Sequence, residues 1–119
     1  MKITTHEINQ TRIAEVISDE IIIQNAQDGL ELLGNIYYQD FDKIVIYKKN
    51  ITPEFFDLKT RIAGDILQKF SNYRVRLAIV GDFSQYKSNS IKDFIFESNT
   101  TRHINFISTL AEALERLSR

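Results

Sequence analysis

The sequence contains no cysteine, and this absence removes two kinds of site. Disulfide bonds cannot form, and no thiolate is available to bind a metal ion. The two histidines, His6 and His103, stand near opposite ends of the chain, without the short spacing of a zinc motif. We therefore expect no metal site, and we expect the reducing environment of the cytoplasm.

Long apolar runs and the common catalytic motifs are missing as well. The segment Met1–Glu7 lacks the apolar stretch of a secretory signal, and no later segment approaches the roughly 18 apolar residues that cross a bilayer. The glycine-rich loops that bind nucleotides are absent, and so is the Gly-x-Ser-x-Gly pattern of hydrolases. The sequence therefore predicts no membrane partner and no cofactor, and it lends no support to an enzymatic role.

The chain also lacks an excess of basic charge. It carries 15 Lys and Arg against 16 Asp and Glu, a net charge of −1. Nucleic-acid binding usually requires a strong basic excess, so we expect no nucleic-acid partner. The charge is unevenly distributed, because residues 1–42 are net acidic and residues 43–107 are net basic. This asymmetry predicts that the surface of the molecule carries an electric dipole.

What is present is typical of one globular domain. The chain has 119 residues, of which 43% are hydrophobic and 26% are charged. Such a chain can bury one continuous core, and this composition is far from that of disordered segments. We expect a single domain over residues 1–119.

Strand-like and helix-like segments alternate along the chain. Two runs around Asn9-Gln10-Thr11 predict an antiparallel hairpin, and three short apolar runs predict buried parallel strands. The five predicted strands are Lys2–Ile8, Arg12–Ser18, Ile44–Tyr47, Val75–Val80 and Ile104–Ile107. The pattern predicts an α/β domain with a mixed, mostly parallel sheet that begins with an antiparallel hairpin.

About four helices are predicted from caps and apolar stripes. Asn25 caps the first helix, Ser90 the third, and Thr109 with Glu112 the last. Thr52 caps the second helix, which Pro53 opens and which extends to about Ser71. The predicted stripe of the first helix is Ala26, Leu30, Leu33 and Tyr37, and that of the second is Phe55, Leu58, Ile62, Ile66, Lys69 or Phe70, and Tyr73.

The loop after the fourth strand is one candidate binding site. Gly81, Asp82, Phe83 and Ser84 follow that strand directly, and open α/β sheets bind ligands at the carboxyl ends of their strands. The alternative is an ordinary turn in which Asp82 serves as a cap, because Gly-Asp after a strand is common turn chemistry.

The beginning of the second helix is a second candidate. If this helix breaks near Leu58, free backbone amides together with Lys59, Thr60 and Arg61 would favour an anion. The alternative is a solvated helix face. Aromatic residues are concentrated around the second and third helices, and either Tyr86 or Phe96 is expected to stay exposed as part of a contact surface.

Three segments carry a resemblance to a known family. They are Pro53–Thr60, Leu67–Tyr73 and Ala78–Phe83, and they resemble an uncharacterised bacterial family known only as a domain of unknown function. More distantly, the order of elements, the Ala78–Gly81 strand end and the Ser108–Leu114 tail resemble the STAS-like fold of anti-sigma-factor antagonists. That resemblance implies a protein partner and a phosphorylated Ser or Thr at the second helix. Thr52 occupies this place, without the Asp-Ser pair of that family.

Two functions are consistent with these features. The first hypothesis is a non-enzymatic protein-interaction or regulatory module that docks a protein partner, or a second copy of the chain, through helices two and three. The alternative is a domain that binds a small ligand or an anion. It would use the loop after the fourth strand and the start of the second helix.

Overall fold

The computed structural model describes residues 1–119 and contains one five-stranded sheet in which the strands pair in sequence order. The first two strands are antiparallel, and every later neighbour is parallel. The strands are β1 (Lys2–Ile8), β2 (Thr11–Ile17), β3 (Lys43–Tyr47), β4 (Arg76–Val80) and β5 (Ile104–Ile107). The mixed sheet expected from the alternating pattern is therefore confirmed.

The hairpin between β1 and β2 turns on two residues. Asn9 and Gln10 have φ angles of 51° and 66°, the left-handed conformation that two-residue hairpins need at both central positions. Thr11 pairs with Ile8 and so belongs to β2. The turn is one residue shorter than the sequence indicated.

Four helices cover the two faces of the sheet unequally. They are α1 (Ala26–Tyr38), α2 (Ile62–Asn72), α3 (Asn89–Asn99) and α4 (Leu110–Leu117). Parallel strands joined in sequence order by crossovers of one hand place their connecting helices on one face. Accordingly α1, α2 and α3 share a large core with Ile46 and Ile79. On the other face α4 packs against β3, β4 and β5 over a smaller core that contains Val45 and Ala78.

The helix predicted from Pro53 to about Ser71 is interrupted in its first half, and the break considered near Leu58 is confirmed. Residues Pro53–Phe56 and Leu58–Thr60 form two short 3₁₀ helices, and α2 begins only at Ile62. Asp57 separates the two 3₁₀ helices, because its side chain accepts a hydrogen bond from Lys59 N and starts a new turn. Arg61 then takes a left-handed conformation with φ 65°, which ends the second turn.

Two smaller expectations about helices are wrong. The α1 residues that are buried are Gly29, Leu32, Leu33 and Ile36, so the helix is rotated from the predicted stripe and Tyr37 is exposed. The cause is Gly29, where a Cβ would lie 2.8 Å from Ile66 Cδ1, so α1 approaches α2 through its glycine. In α3 the residue before the first turn is Ser88, not Ser90, and Ser88 makes no side-chain cap.

The caps at the first and last helices are confirmed. Asn25 accepts a hydrogen bond from Asp28 N at 2.8 Å, and Thr109 accepts one from Glu112 N at 3.2 Å. Each bond satisfies a backbone donor that the first turn of a helix leaves free. By length and hydropathy, none of the helices could cross a membrane.

Candidate functional site

The segments that follow β3 and β4 meet at the carboxyl edge of the parallel strands. At Gly81, the first residue after β4, a Cβ would lie 2.6 Å from Lys48 Cβ, so only glycine lets the Lys48 side chain pass. Lys48 Nζ then donates a hydrogen bond to the carbonyl oxygen of Asp82 at 2.8 Å and another to Gln85 Oε1. One lysine from the β3 side therefore holds the loop that follows β4.

Aromatic side chains extend this contact away from the sheet. The rings of Phe56 and Tyr86 stack with their centroids 4.5 Å apart, and Lys48 Nζ lies 5.1 Å from the Tyr86 centroid. An ammonium at this distance from an aromatic ring is attracted to its face. Burial raises the pKa of the Tyr86 hydroxyl. The loop is thus fixed by a cation and by a stacked pair.

Two depressions lie side by side along this edge, and we call them together the carboxyl-edge groove. The larger, about 340 Å³, has an apolar floor and two lysines, while the smaller is about 210 Å³. Lys49 lines both depressions. Ile21 in the larger and Ile17 in the smaller are 43% and 40% exposed. The larger depression is lined by Ile21, Lys48, Lys49, Ile51, Pro53, Phe56, Gln85 and Tyr86, and the smaller by Ile17, Ser18, Tyr47 and Lys49.

The segment that carries Ile21 is anchored by Asn50. This side chain is fully buried, and its Nδ2 donates to the carbonyl oxygens of Ser18 and Glu20 at 2.8 and 2.9 Å. Its backbone oxygen accepts hydrogen bonds from the amides of Ile22 and Ile23. A single asparagine therefore sets the shape of one wall of the groove.

A buried carboxylate lies beside the smaller depression. Glu15 is 6% exposed, and its two oxygens contact His6 Nε2 at 2.8 Å and the Tyr47 hydroxyl at 2.6 Å. Burial together with the neighbouring Glu15 raises the pKa of Tyr47 to about 12. The cluster lies on the sheet face that α4 occupies, towards β1 and β2. We did not predict it from the sequence, although a glutamate inside the apolar run Ile13–Ile17 is a signal of a buried polar partner.

Residues 8–117, from the last residue of β1 to the last residue of α4, match one protein family. The chain belongs to the family described as Domain of unknown function (DUF4180). No curated protein and no solved structure matches the chain. The expected membership of an uncharacterised family is confirmed, and it brings no residue role with it.

The predicted residues of the strand-end loop lie at or beside the groove. Tyr86 lines it, and Thr52 stands between two lining residues, with its hydroxyl oxygen 3.4 Å from Glu54 N. Asp82 accepts a hydrogen bond from Ser84 N at 2.9 Å, and this bond lowers the pKa of Asp82. Phe83 packs on Phe106 with the ring centroids 5.3 Å apart. Asp82 and Ser84 thus form a turn, and a binding role for this loop stays a prediction.

The predicted anion site at Lys59, Thr60 and Arg61 lies outside the residues that line the groove. The Lys59 amide donates to Asp57 Oδ1, and the Ile62 amide lies 3.3 Å from Thr60 Oγ1. The three side chains are exposed. An anion-binding role for them stays a prediction, and the structure does not bring them together with the strand-end loop in one depression.

Tyr47 provides a direct spectroscopic test of the buried cluster. Tyr47→Phe should remove a component that titrates near pH 12 from the ultraviolet absorbance of tyrosinate, and Glu15→Gln should move that component towards pH 10. Because the pKa of Tyr47 is higher in the folded than in the unfolded chain, its contribution to stability is complete below pH 10 and is lost as the pH rises towards 12.

The control for this titration is Tyr37→Phe, since Tyr37 is 54% exposed. That variant should keep the component near pH 12. A Tyr47→Phe titration curve that differs from wild type only around pH 10 would show that Glu15 does not hold the Tyr47 proton.

Proposed function

We propose that this domain is a binding module that holds an extended segment of a protein partner in the carboxyl-edge groove. The segment would carry apolar side chains and at least one carboxylate. The observation that carries the proposal is the pair of adjoining depressions that share Lys49, each with an exposed isoleucine at its wall.

Ile17 and Ile21 offer exposed apolar surface to a partner. Complete burial of an isoleucine side chain is worth about 1.5–3 kcal/mol, and both side chains keep roughly 40% of their surface in water. The volume of the larger depression is at the lower end of the roughly 300–1,000 Å³ that small-molecule pockets occupy. Two small adjoining apolar depressions suit alternate side chains of an extended segment better than a single large ligand.

Lys48 and Lys49 give the groove its positive charge. Lys48 is held by the loop after β4, and it contributes a fixed positive charge to one wall of the groove. Lys49 Nζ lies 3.6 Å from Asp19 Oδ1, with both side chains mostly exposed, and such pairs contribute little. Lys49 can therefore leave Asp19 and pair with a carboxylate of the partner. The groove thus favours a segment that carries an acidic residue.

We further propose that the module is regulatory and related to STAS-like domains. Its proposed location is the cytoplasm. Thr52 lies between Ile51 and Pro53, both of which line the larger depression. A phosphate on Thr52 would place negative charge beside the groove and would repel an acidic segment. Support for this extension comes from the resemblance described above and from the position of Thr52.

A selection from a displayed library of random peptides tests the proposal. Wild-type chain should enrich peptides that combine apolar and acidic residues. Ile21→Asp and Lys49→Glu should each weaken binding of the enriched peptides by about tenfold or more, since each removes a favourable contact and introduces a repulsive or unpaired charge.

The matched controls lie on α3, one of the two helices that the sequence suggested for docking. Phe96 is 73% exposed there, and Lys92 is exposed on the same helix. Phe96→Asp and Lys92→Glu should leave the affinity of the selected peptides within about twofold of wild type. If instead the selected peptides lose affinity with Phe96→Asp and keep it with Ile21→Asp, the docking surface is α3 and the proposal fails.

A further inference from the structure

Basic side chains gather at the amino edge of the parallel strands, opposite the groove. They surround a depression of about 350 Å³ whose lining contains no apolar residue. The amino ends of parallel strands share one edge of a sheet, and Lys43 and Arg76 are the first residues of β3 and β4. We call this set the amino-edge arginine cluster: Lys43, Arg74, Arg76, Arg102, His103 and Arg119.

The positive charges of the cluster are poorly neutralised. Arg74, Arg76 and Arg102 form no salt bridge, whereas Lys43 and Arg119 pair with the exposed carboxylates of neighbours on their own segments. Arg102 donates a hydrogen bond to a backbone oxygen of Arg119. The cluster therefore holds more cations than its own carboxylates can balance, within a space the size of a small ligand.

Arg76 is the one arginine of the cluster that is partly buried. Its Nε is buried and has no hydrogen-bond partner. Burial, and then the charges of Arg102 and Arg116, lower the pKa of its guanidinium. Of the neighbouring charges only Asp42 opposes this effect, so an anion bound beside the guanidinium would stabilise its charged form.

We propose that the amino-edge arginine cluster binds the phosphate groups of a small molecule that carries a diphosphate or triphosphate. Guanidinium groups present forked donors that match phosphate oxygens, and several of them around one depression fit several linked phosphates. A nucleic acid would need a basic stripe along the surface, whereas this charge is confined to one depression on a chain of net charge −1. This site is separate from the groove and would give the domain a second ligand.

Calorimetric titration with inorganic tripolyphosphate, pyrophosphate and sulfate tests the site. Tripolyphosphate should bind best and sulfate least, because each added phosphate meets further arginines. Arg74→Gln and Arg76→Gln should each weaken tripolyphosphate binding by about tenfold or more, because each removes one hydrogen-bonded charge pair with a phosphate. Thermal melts of both variants verify folding, and Arg74→Gln is on an exposed residue that the core does not need.

Two controls distinguish a specific phosphate site from nonspecific attraction of anions to basic residues. Lys92→Gln removes the same charge from α3 and should change tripolyphosphate affinity by less than about twofold. Ile21→Asp should leave it unchanged, which distinguishes this site from the groove. Equal losses in Arg74→Gln and Lys92→Gln, absence of tripolyphosphate binding at millimolar concentration, or tighter binding of a short DNA duplex would each overturn the proposal.

Discussion

Asn50→Asp is expected to lower the free energy of unfolding by about 3–5 kcal/mol, the cost of leaving a buried charge without a partner. The substitution changes one group of atoms and no shape. It replaces the Nδ2 donor with an oxygen that would face the carbonyl oxygens of Ser18 and Glu20. Asn50 is fully buried, and its Oδ1 has no hydrogen-bond partner, so neither carboxylate oxygen would find a donor.

Urea unfolding at neutral and acidic pH measures this effect. The loss should shrink as the pH falls, because a protonated carboxyl can again donate one hydrogen bond. Asn89→Asp is the matched control: Asn89 is exposed at the first turn of α3, where a negative charge changes stability by less than about 1 kcal/mol. An Asn50→Asp protein within about 1 kcal/mol of wild type would show that Asn50 does not anchor the wall of the groove.

Ile79→Ala is expected to lower the free energy of unfolding by about 2–5 kcal/mol. Ile79 is fully buried in β4, between Ile46 of β3 and Phe106 of β5 in register. Its truncation would leave a cavity in the large core under three helices. For a domain whose total stability is about 5–15 kcal/mol, a change of this size is easily resolved in a urea titration.

Ile17→Ala is the matched control for the core. Ile17 is 40% exposed at the end of β2, so the same truncation there should cost less than about 1 kcal/mol while weakening peptide binding in the groove. A loss below about 1 kcal/mol in Ile79→Ala would contradict the central place of β4.

The strands and the outer caps were predictable because their signals are local. Continuous apolar runs such as Ile44–Tyr47 place the buried strands within one residue of their observed bounds. Asn25 and Thr109 cap helices because a short side chain reaches an amide three residues on. In each case the residues that decide the structure are neighbours in sequence.

The sequence indicated that the second helix could break near Leu58, but the form of the break was not predictable in the same way. Thr52-Pro53-Glu54 starts a 3₁₀ helix as well as it starts an α-helix, so the cap alone does not choose between them. The choice depends on Asp57, which starts a new turn, and on the left-handed conformation of Arg61. Arginine carries no preference for that conformation, so nothing in the residue type indicates it.

The two sites differ in what the sequence could have revealed. The groove combines Ile21, Lys49 and Tyr86 from three separate segments. Of these only Tyr86 was singled out, as an aromatic residue expected in a contact surface. The amino-edge arginine cluster could have been predicted from the sequence. Arg76 and the pair Arg102-His103 stand at or just before the first residues of β4 and β5, and parallel strands begin at one edge.

Amide chemical shifts recorded while the best selected peptide is added test the central proposal most directly, because they locate the peptide on the folded chain without a mutation. We expect the largest shifts at residues 17–23 and 48–52 and at Gln85 and Tyr86, in the segments that form the carboxyl-edge groove. Largest shifts along α3, at residues 89–99, or at the amino edge around Arg76 would contradict a partner site in the groove.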